Sequence, residues 1–234
     1  MLKPFALAFC LLLPFAARAE FNCPDPQKIL ALSHEFEILK TSPRVNTEMC
    51  GGNSMLVTLA KSLGFLRELG NLEPVPARSP DWIGASPYEF FKARVKKIVL
   101  DDGDDCVGLA QVWPSERAQG IIHLCTRARD YDSLVLSEAL VHERRHLENE
   151  PHDHVTCWSG QNYRRESCDE SYEEGGAYAV GVEYLMRISQ TTRLDRPLRD
   201  RARELALTAL RERFNTATTM ELSLHHEQHP KIFR

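Results

Sequence analysis

The most informative run in the chain is Asp132-Ser133-Leu134-Val135-Leu136-Ser137-Glu138-Ala139-Leu140-Val141-His142-Glu143-Arg144-Arg145-His146. Its apolar residues recur at helical spacing, which predicts an amphipathic helix from Asp132 through His146. Residues four apart on a helix lie one above the other. His142 and His146 therefore share one side while Leu134, Leu140 and Val141 face a core. Two imidazoles so placed can ligate one metal ion. Glu143 projects beside them, close enough to hold a water without entering the coordination shell. This is the H-E-x-x-H arrangement. Zinc lowers the pKa of a coordinated water toward ~7 and polarises a carbonyl. A glutamate alongside takes the water's proton and delivers it to the leaving amine. The expected activity is that of a zinc metallopeptidase. The alternative is an exported zinc-binding or partner-binding protein that uses the same scaffold without turnover.

A third ligand must come from further along, and the spacing leaves several candidates. His152 stands six residues after His146, and Glu166 stands twenty after it. Asp169, Glu173 and Glu174 can approach from the next segment. His154 is the expected ligand, because imidazole is a common zinc donor and Cys157 can anchor its loop. Asp169 is then either the alternative ligand or a carboxylate that orients a ligating histidine. Tyr178 is a candidate donor to the oxyanion of the reaction. Three tail histidines, His225, His226 and His229, read as a polar terminus.

Beyond the pentad, the order of blocks is H-E-R-R-H, His154-Val155-Thr156-Cys157, Cys168-Asp169 and Gly176-Ala177-Tyr178-Ala179-Val180. This resembles a little-characterised family of zincin-type secreted bacterial proteins, in which the gap after the pentad varies. The likeness covers residues 138 to 188. It implies a metallopeptidase of unknown substrate, and a variable gap points to His154 or Asp169 as the third ligand. Arg144 and Arg145 depart from the zincin pattern, whose two central residues are usually uncharged.

Other elements follow from periodicity and caps. Ile29, Leu32, Phe36 and Leu39 predict a helix over 26–40, and Leu56, Leu59, Leu63 and Leu66 another over 54–69, ended by Gly70. Ser86-Pro87-Tyr88-Glu89 is a capping-box signature. Val107 to Trp113 and Ile121 to Thr126 predict a strand hairpin flanked by Cys106 and Cys125. Asp101-Asp102-Gly103-Asp104-Asp105 lacks the spacing of a calcium loop and reads as a turn. Helices are expected over 169–188 and 198–214. In the first of these, Gly175 and Gly176 would each cost roughly 1 kcal/mol relative to alanine. The fold class expected is α+β, mainly helical, with a zincin-like active-site helix beside a small sheet.

The chain has 234 residues, and the first nineteen read as a signal peptide. Lys3 is followed by an uncharged apolar run from Pro4 to Phe15, and then by Ala17-Arg18-Ala19 as the cleavage site. Residues 20–234 are expected to form a single domain. After cleavage the cysteines are Cys23, Cys50, Cys106, Cys125, Cys157 and Cys168, an even set that predicts disulfides in an oxidising compartment. Sequential pairing is expected, with Cys157–Cys168 closing the short loop. Cleavage removes two basic residues, Lys3 and Arg18, and shifts the net charge from −4 to −6. An acidic chain without a basic patch excludes nucleic acid or an anionic membrane as the main partner. No segment of the mature chain has the ~20 apolar residues of a membrane anchor. The expected location is periplasmic or secreted, and the expected partner is a peptide or protein substrate.

Overall fold

The computed structural model describes residues 25–48, 54–73, 81–84, 86–148, 152–158 and 167–216. The expected signal peptide, Cys23, Cys50, Glu166 and the tail histidines lie outside the described residues. The fold is α+β and mainly helical, with one small sheet.

Four strands form the sheet: β1 (Glu37–Lys40), β2 (Lys97–Asp101), β3 (Ala110–Gln111) and β4 (Ile121–Cys125). They lie in the order β1-β2-β4-β3. The first three in that order are parallel, with Ile38 opposite Ile98 and Ile98 opposite Ile122. β3 runs antiparallel along the far edge, with Ala110 opposite Leu124. Every residue of β4 is buried, as expected of a strand with neighbours on both sides. The expected antiparallel pairing of the 107–113 and 121–126 segments is present. A 3-10 turn, Pro114–Gln119, makes the connection and closes on Gly120 at φ 70°. A side chain at Gly120 would meet the Arg94 carbonyl oxygen at 2.4 Å, so both the backbone angle and the space require glycine.

Six α-helices complete the fold: α1 (Pro26–Glu35), α2 (Met55–Leu69), α3 (Pro87–Lys92), α4 (Ser133–His146), α5 (Ala177–Gln190) and α6 (Arg196–Glu212). Side-chain caps start most of them. Ser54, Ser86, Asp132 and Asp195 each accept a first-turn backbone N–H of α2, α3, α4 and α6 respectively. α4 lies against α2, α3, α5 and β3, and α5 packs on α6. Eleven of the fourteen residues of α5 are buried, so this is an internal helix and not an amphipathic surface one. Leu59, Leu63, Leu66, Leu136 and Leu140 are fully buried and join α2 to α4. Each such side chain stabilises the fold by roughly 1.5–3 kcal/mol.

Two expectations need correction. The helix expected over 26–40 ends at Glu35, and Glu37–Lys40 is β1. Phe36 is buried as the period predicted, but Leu39 is 43% exposed because it belongs to an edge strand. The helix expected over 169–188 begins only at Ala177. Gly175 has φ 68°, which breaks the helix before it, so the glycine pair precedes α5 and carries no helix-interior cost. A side chain at Gly175 would meet the Trp82 indole at 2.5 Å.

Disulfides join Cys106 to Cys125 and Cys157 to Cys168, two of the sequential pairs. Among the described residues, no helix is long and apolar enough to cross a membrane.

Candidate metal centre

α4 delivers two imidazoles to one point, as its spacing requires. The third arrives on a loop. Nε2 of His142 lies 3.1 Å from Nε2 of His154 and 3.3 Å from Nε2 of His146, and the His146–His154 separation is 3.2 Å. A tetrahedral ion with Zn–N bonds of about 2.05 Å would hold its nitrogens roughly 3.3 Å apart. The triangle therefore fits such an ion. In the tautomer with the proton on Nδ1, each neutral ring turns an Nε2 lone pair toward that point. These three residues are the group able to hold a metal among the described residues.

Local packing explains why the rings stand there. Burial holds the His142 ring well below the usual histidine range, with His146, His154 and Arg213 adding positive charge nearby. Burial likewise brings His146 down to about 3. Both rings are thus held neutral, the form that ligates. The backbone of Ala177 opposes the shift of His142 slightly. On His146, Nδ1 faces the His152 backbone but does not reach hydrogen-bond geometry.

The loop that carries His154 is tied down on every side. Val155 exchanges two backbone hydrogen bonds with Cys168, at 2.7 and 2.8 Å, and the Cys157–Cys168 disulfide closes the same loop. Asn215 donates to the Thr156 carbonyl at 3.1 Å and accepts from the Trp158 N–H at 2.9 Å. Behind the ring, Asp169 Oδ1 lies 3.0 Å from Nδ1 of His154. The other oxygen of Asp169 accepts the N–H groups of Tyr178 and Ala179 at 2.9 and 3.2 Å, and so caps α5. Asp169 thus stands behind the His154 ring and outside the group of three histidines able to hold a metal. A side chain at Gly176 would meet Asp169 Oδ2 at 2.3 Å, so that glycine makes the room for this contact.

The remaining candidates among the described residues stand apart from the cluster. His152 lies against Glu148, with Nε2 3.8 Å from its carboxylate. Glu173 and Glu174 are exposed. Arg144 and Arg145, the departure from the zincin pattern, hold the helix from behind. Arg144 donates to the Phe90 carbonyl at 2.8 Å and stacks on its ring at 3.6 Å. Arg145 donates to the Gly175 carbonyl at 2.8 Å, and both arginines pair with Glu148. These two charges bolt α4 to α3 and to the turn before α5.

Glu143 stands beside the triangle without joining it, its Oε1 4.0 Å from His142 Nε2. Burial raises its carboxyl to about 8, with the Val112 backbone acting in the other direction. Tyr178 stacks on His154 with ring centroids 4.5 Å apart and meets His142 edge-on at the same distance. Burial pushes its phenol up to about 12, so it remains a donor at neutral pH.

These groups open onto a cleft of about 880 Å³. Its walls include β3 and its flanks, from Val107 to Val112. They also include two residues that the sequence reading missed, Glu138 and Arg213. Glu138 had a signal available. It stands four residues before His142, in the same helical row as the two histidines. Arg213 had none, since it comes from the far end of α6. No protein-family model, curated protein or solved structure matches the chain.

Proposed function

We propose that the chain is an exported zinc-dependent hydrolase, a peptidase, whose metal is held by His142, His146 and His154. The observation that carries this reading is the triangle of Nε2 atoms at 3.1, 3.2 and 3.3 Å, with the Glu143 carboxyl alongside. Three imidazoles leave one of the four positions of a zinc ion free, as catalytic sites do and structural sites do not. All-imidazole donors suit zinc among the common metals. The two disulfides and the apolar N-terminal run support export.

Zinc bound there would supply Lewis acidity, which makes water acidic and a carbonyl electrophilic. The chain's own groups do the rest. Glu143 takes a proton from the attacking water on its carboxylate as the new C–O bond forms, and returns it to the amine nitrogen as the C–N bond breaks. Its raised value belongs to the metal-free protein, because a dication alongside favours the ionised carboxylate. Tyr178 donates its phenolic proton in a hydrogen bond to the carbonyl oxygen as charge builds there. Asp169 keeps the His154 proton on Nδ1, so that Nε2 faces the metal.

Metal content and peptide hydrolysis measured on the same oxidised preparation test this reading. About one zinc per chain is expected, lost in the His142→Ala/His146→Ala double variant. Glu143→Gln should keep the zinc and lose hydrolysis. Zinc retained together with a function that survives Glu143→Gln identifies a binding protein instead. A chain that takes up no zinc even when it is supplied overturns both readings.

A further inference from the structure

Arg213 stands in the wall of the cleft beside the metal centre. Its guanidinium lies 4.8 Å over the ring of Tyr178, the same ring that stacks on His154. Its backbone is fixed to the residue that orients His154: Asp169 N–H donates to the Arg213 carbonyl at 2.9 Å, and Arg213 N–H to that of Ala209 at 2.8 Å. The guanidinium is thus carried on the same support as the third ligand. Among the described residues, no carboxylate reaches ion-pair distance of it.

Glu138, another charged residue of the cleft lining, is seated against α5. A side chain at Gly181 would lie 2.3 Å from Glu138 Oε1, so the glycine opens a notch in α5 that this carboxyl occupies. Gly181 is inside a helix, where glycine costs roughly 1 kcal/mol relative to alanine, and the notch is what it gives in return. Seated there, Glu138 feels Arg213 through space without forming an ion pair.

Charge decides what the cleft accepts. Its lining has three arginines, Arg117, Arg127 and Arg213, against Glu138, Glu143 and Asp153. Arg117 is paired with Asp153. With all of these carboxylates ionised the rest balance, so a dication held by the histidines makes the cleft positive within a chain of net charge −4. A positive, walled cleft concentrates anions, and a guanidinium recognises a carboxylate through two parallel hydrogen bonds.

We propose that Arg213 is the specificity residue of this site, and that the substrates carry a carboxylate close to the bond that is cut. The proposal rests on the peptidase reading for its substrate class. A chain-terminal carboxylate and an Asp or Glu side chain share this chemistry, and the test separates them.

Binding is measured by titration calorimetry on zinc-loaded Glu143→Gln protein, so that peptides bind without turnover. The matched peptides are N-acetylated and differ in two ways: Glu, Gln or Lys at one internal position, and a free or amidated C-terminus. Carboxylate peptides are expected to bind at least about tenfold tighter than their amide twins, with the advantage falling at high salt. Arg213→Gln should abolish the difference, and Arg213→Lys should restore part of it. An advantage confined to the free C-terminus marks removal of terminal residues. One that follows the internal Glu marks recognition within a chain. Equal binding of all peptides, tighter binding of the Lys series, a preference that survives Arg213→Gln, or no binding at all overturns the proposal. Hydrolysis by wild-type zinc protein is scored separately. Selective binding without cleavage sinks the peptidase reading and leaves Arg213 in place, whereas cleavage without selectivity does the reverse.

Discussion

Nδ1 of His154 lies 3.0 Å from Oδ1 of Asp169, and this contact joins the histidine cluster to the first turn of α5. One carboxylate serves two ends: it orients a ring and caps a helix. Removing it should therefore be felt at both. Asp169→Asn keeps an acceptor but loses the charge, and zinc affinity should fall about tenfold. Asp169→Ala should cost up to about a hundredfold, with about 1 kcal/mol of stability lost from the uncapped helix. Competition with a chromophoric chelator and urea unfolding measure the two effects. Unchanged zinc affinity in both variants would remove Asp169 from the site.

Gly176 supplies a second handle on the same carboxylate. An alanine methyl there would sit 2.3 Å from Asp169 Oδ2, on a backbone whose φ of −64° alanine adopts freely. The cost of Gly176→Ala is thus steric and not conformational. It should weaken zinc binding by displacing Asp169, whereas the same change at exposed Gly103 should not. Equal zinc affinity in the two alanine variants counts against the fit described.

In metal-free protein, burial sets the histidines and Glu143 against each other with pH. His146 falls from an ordinary 6.5 to about 3, and His142 well below its ordinary value. Below pH 6.5 the unfolded chain takes up protons that the folded one cannot, so stability is lost as pH falls toward 3. Glu143 rises from 4.5 to about 8. Between those values the unfolded chain has released a proton that the folded one keeps, so stability is lost as pH rises through that window, on the order of 5 kcal/mol. Glu143→Gln removes only the second loss. The melting-temperature gain of that variant over metal-free wild type should therefore grow by several degrees from pH 5 to pH 8. A gain that does not change with pH would place Glu143 in contact with water.

A buried cluster on the sheet predicts a stability effect. His123 puts one ring nitrogen 2.7 Å from Asp101 and the other 2.6 Å from Glu116, with Trp113 stacked on its face at 4.3 Å. It ties β2, β4 and the 3-10 turn together. His123→Ala leaves the buried Asp101 carboxylate and the half-buried Glu116 without this partner and should cost about 3–5 kcal/mol. The midpoint of urea unfolding at neutral pH reports it, and a loss below about 1 kcal/mol would mean that solvent reaches these carboxyls.

Much of this was legible before any coordinates. His142, Glu143 and His146 share a helical face by spacing alone, and the cap at Ser86 is local chemistry that a few adjacent residues complete. The Cys157–Cys168 pair followed from loop length. These features depend on neighbours along the chain, so their physics is present in any stretch that contains them.

What tertiary structure alone decided depends on partners far away in sequence. Glu37–Lys40 reads as the tail of a helix because Phe36 and Leu39 fit its period, and only pairing with β2, sixty residues on, makes it a strand. β2 itself escaped notice, since a strand of five residues has too few positions to declare a period. A disulfide, a two-residue bridge and Asn215 together bring the loop residue His154, and not His152, to the other two histidines. The place of Asp169 behind the His154 ring came from the glycine pair, which starts α5 late and turns its first N–H groups toward the carboxylate. Arg213 entered the cleft from the end of the last described helix with no local sign at all. Spacing along a helix is written in the backbone's own period, whereas a loop side chain takes its direction from whatever the rest of the chain packs against it.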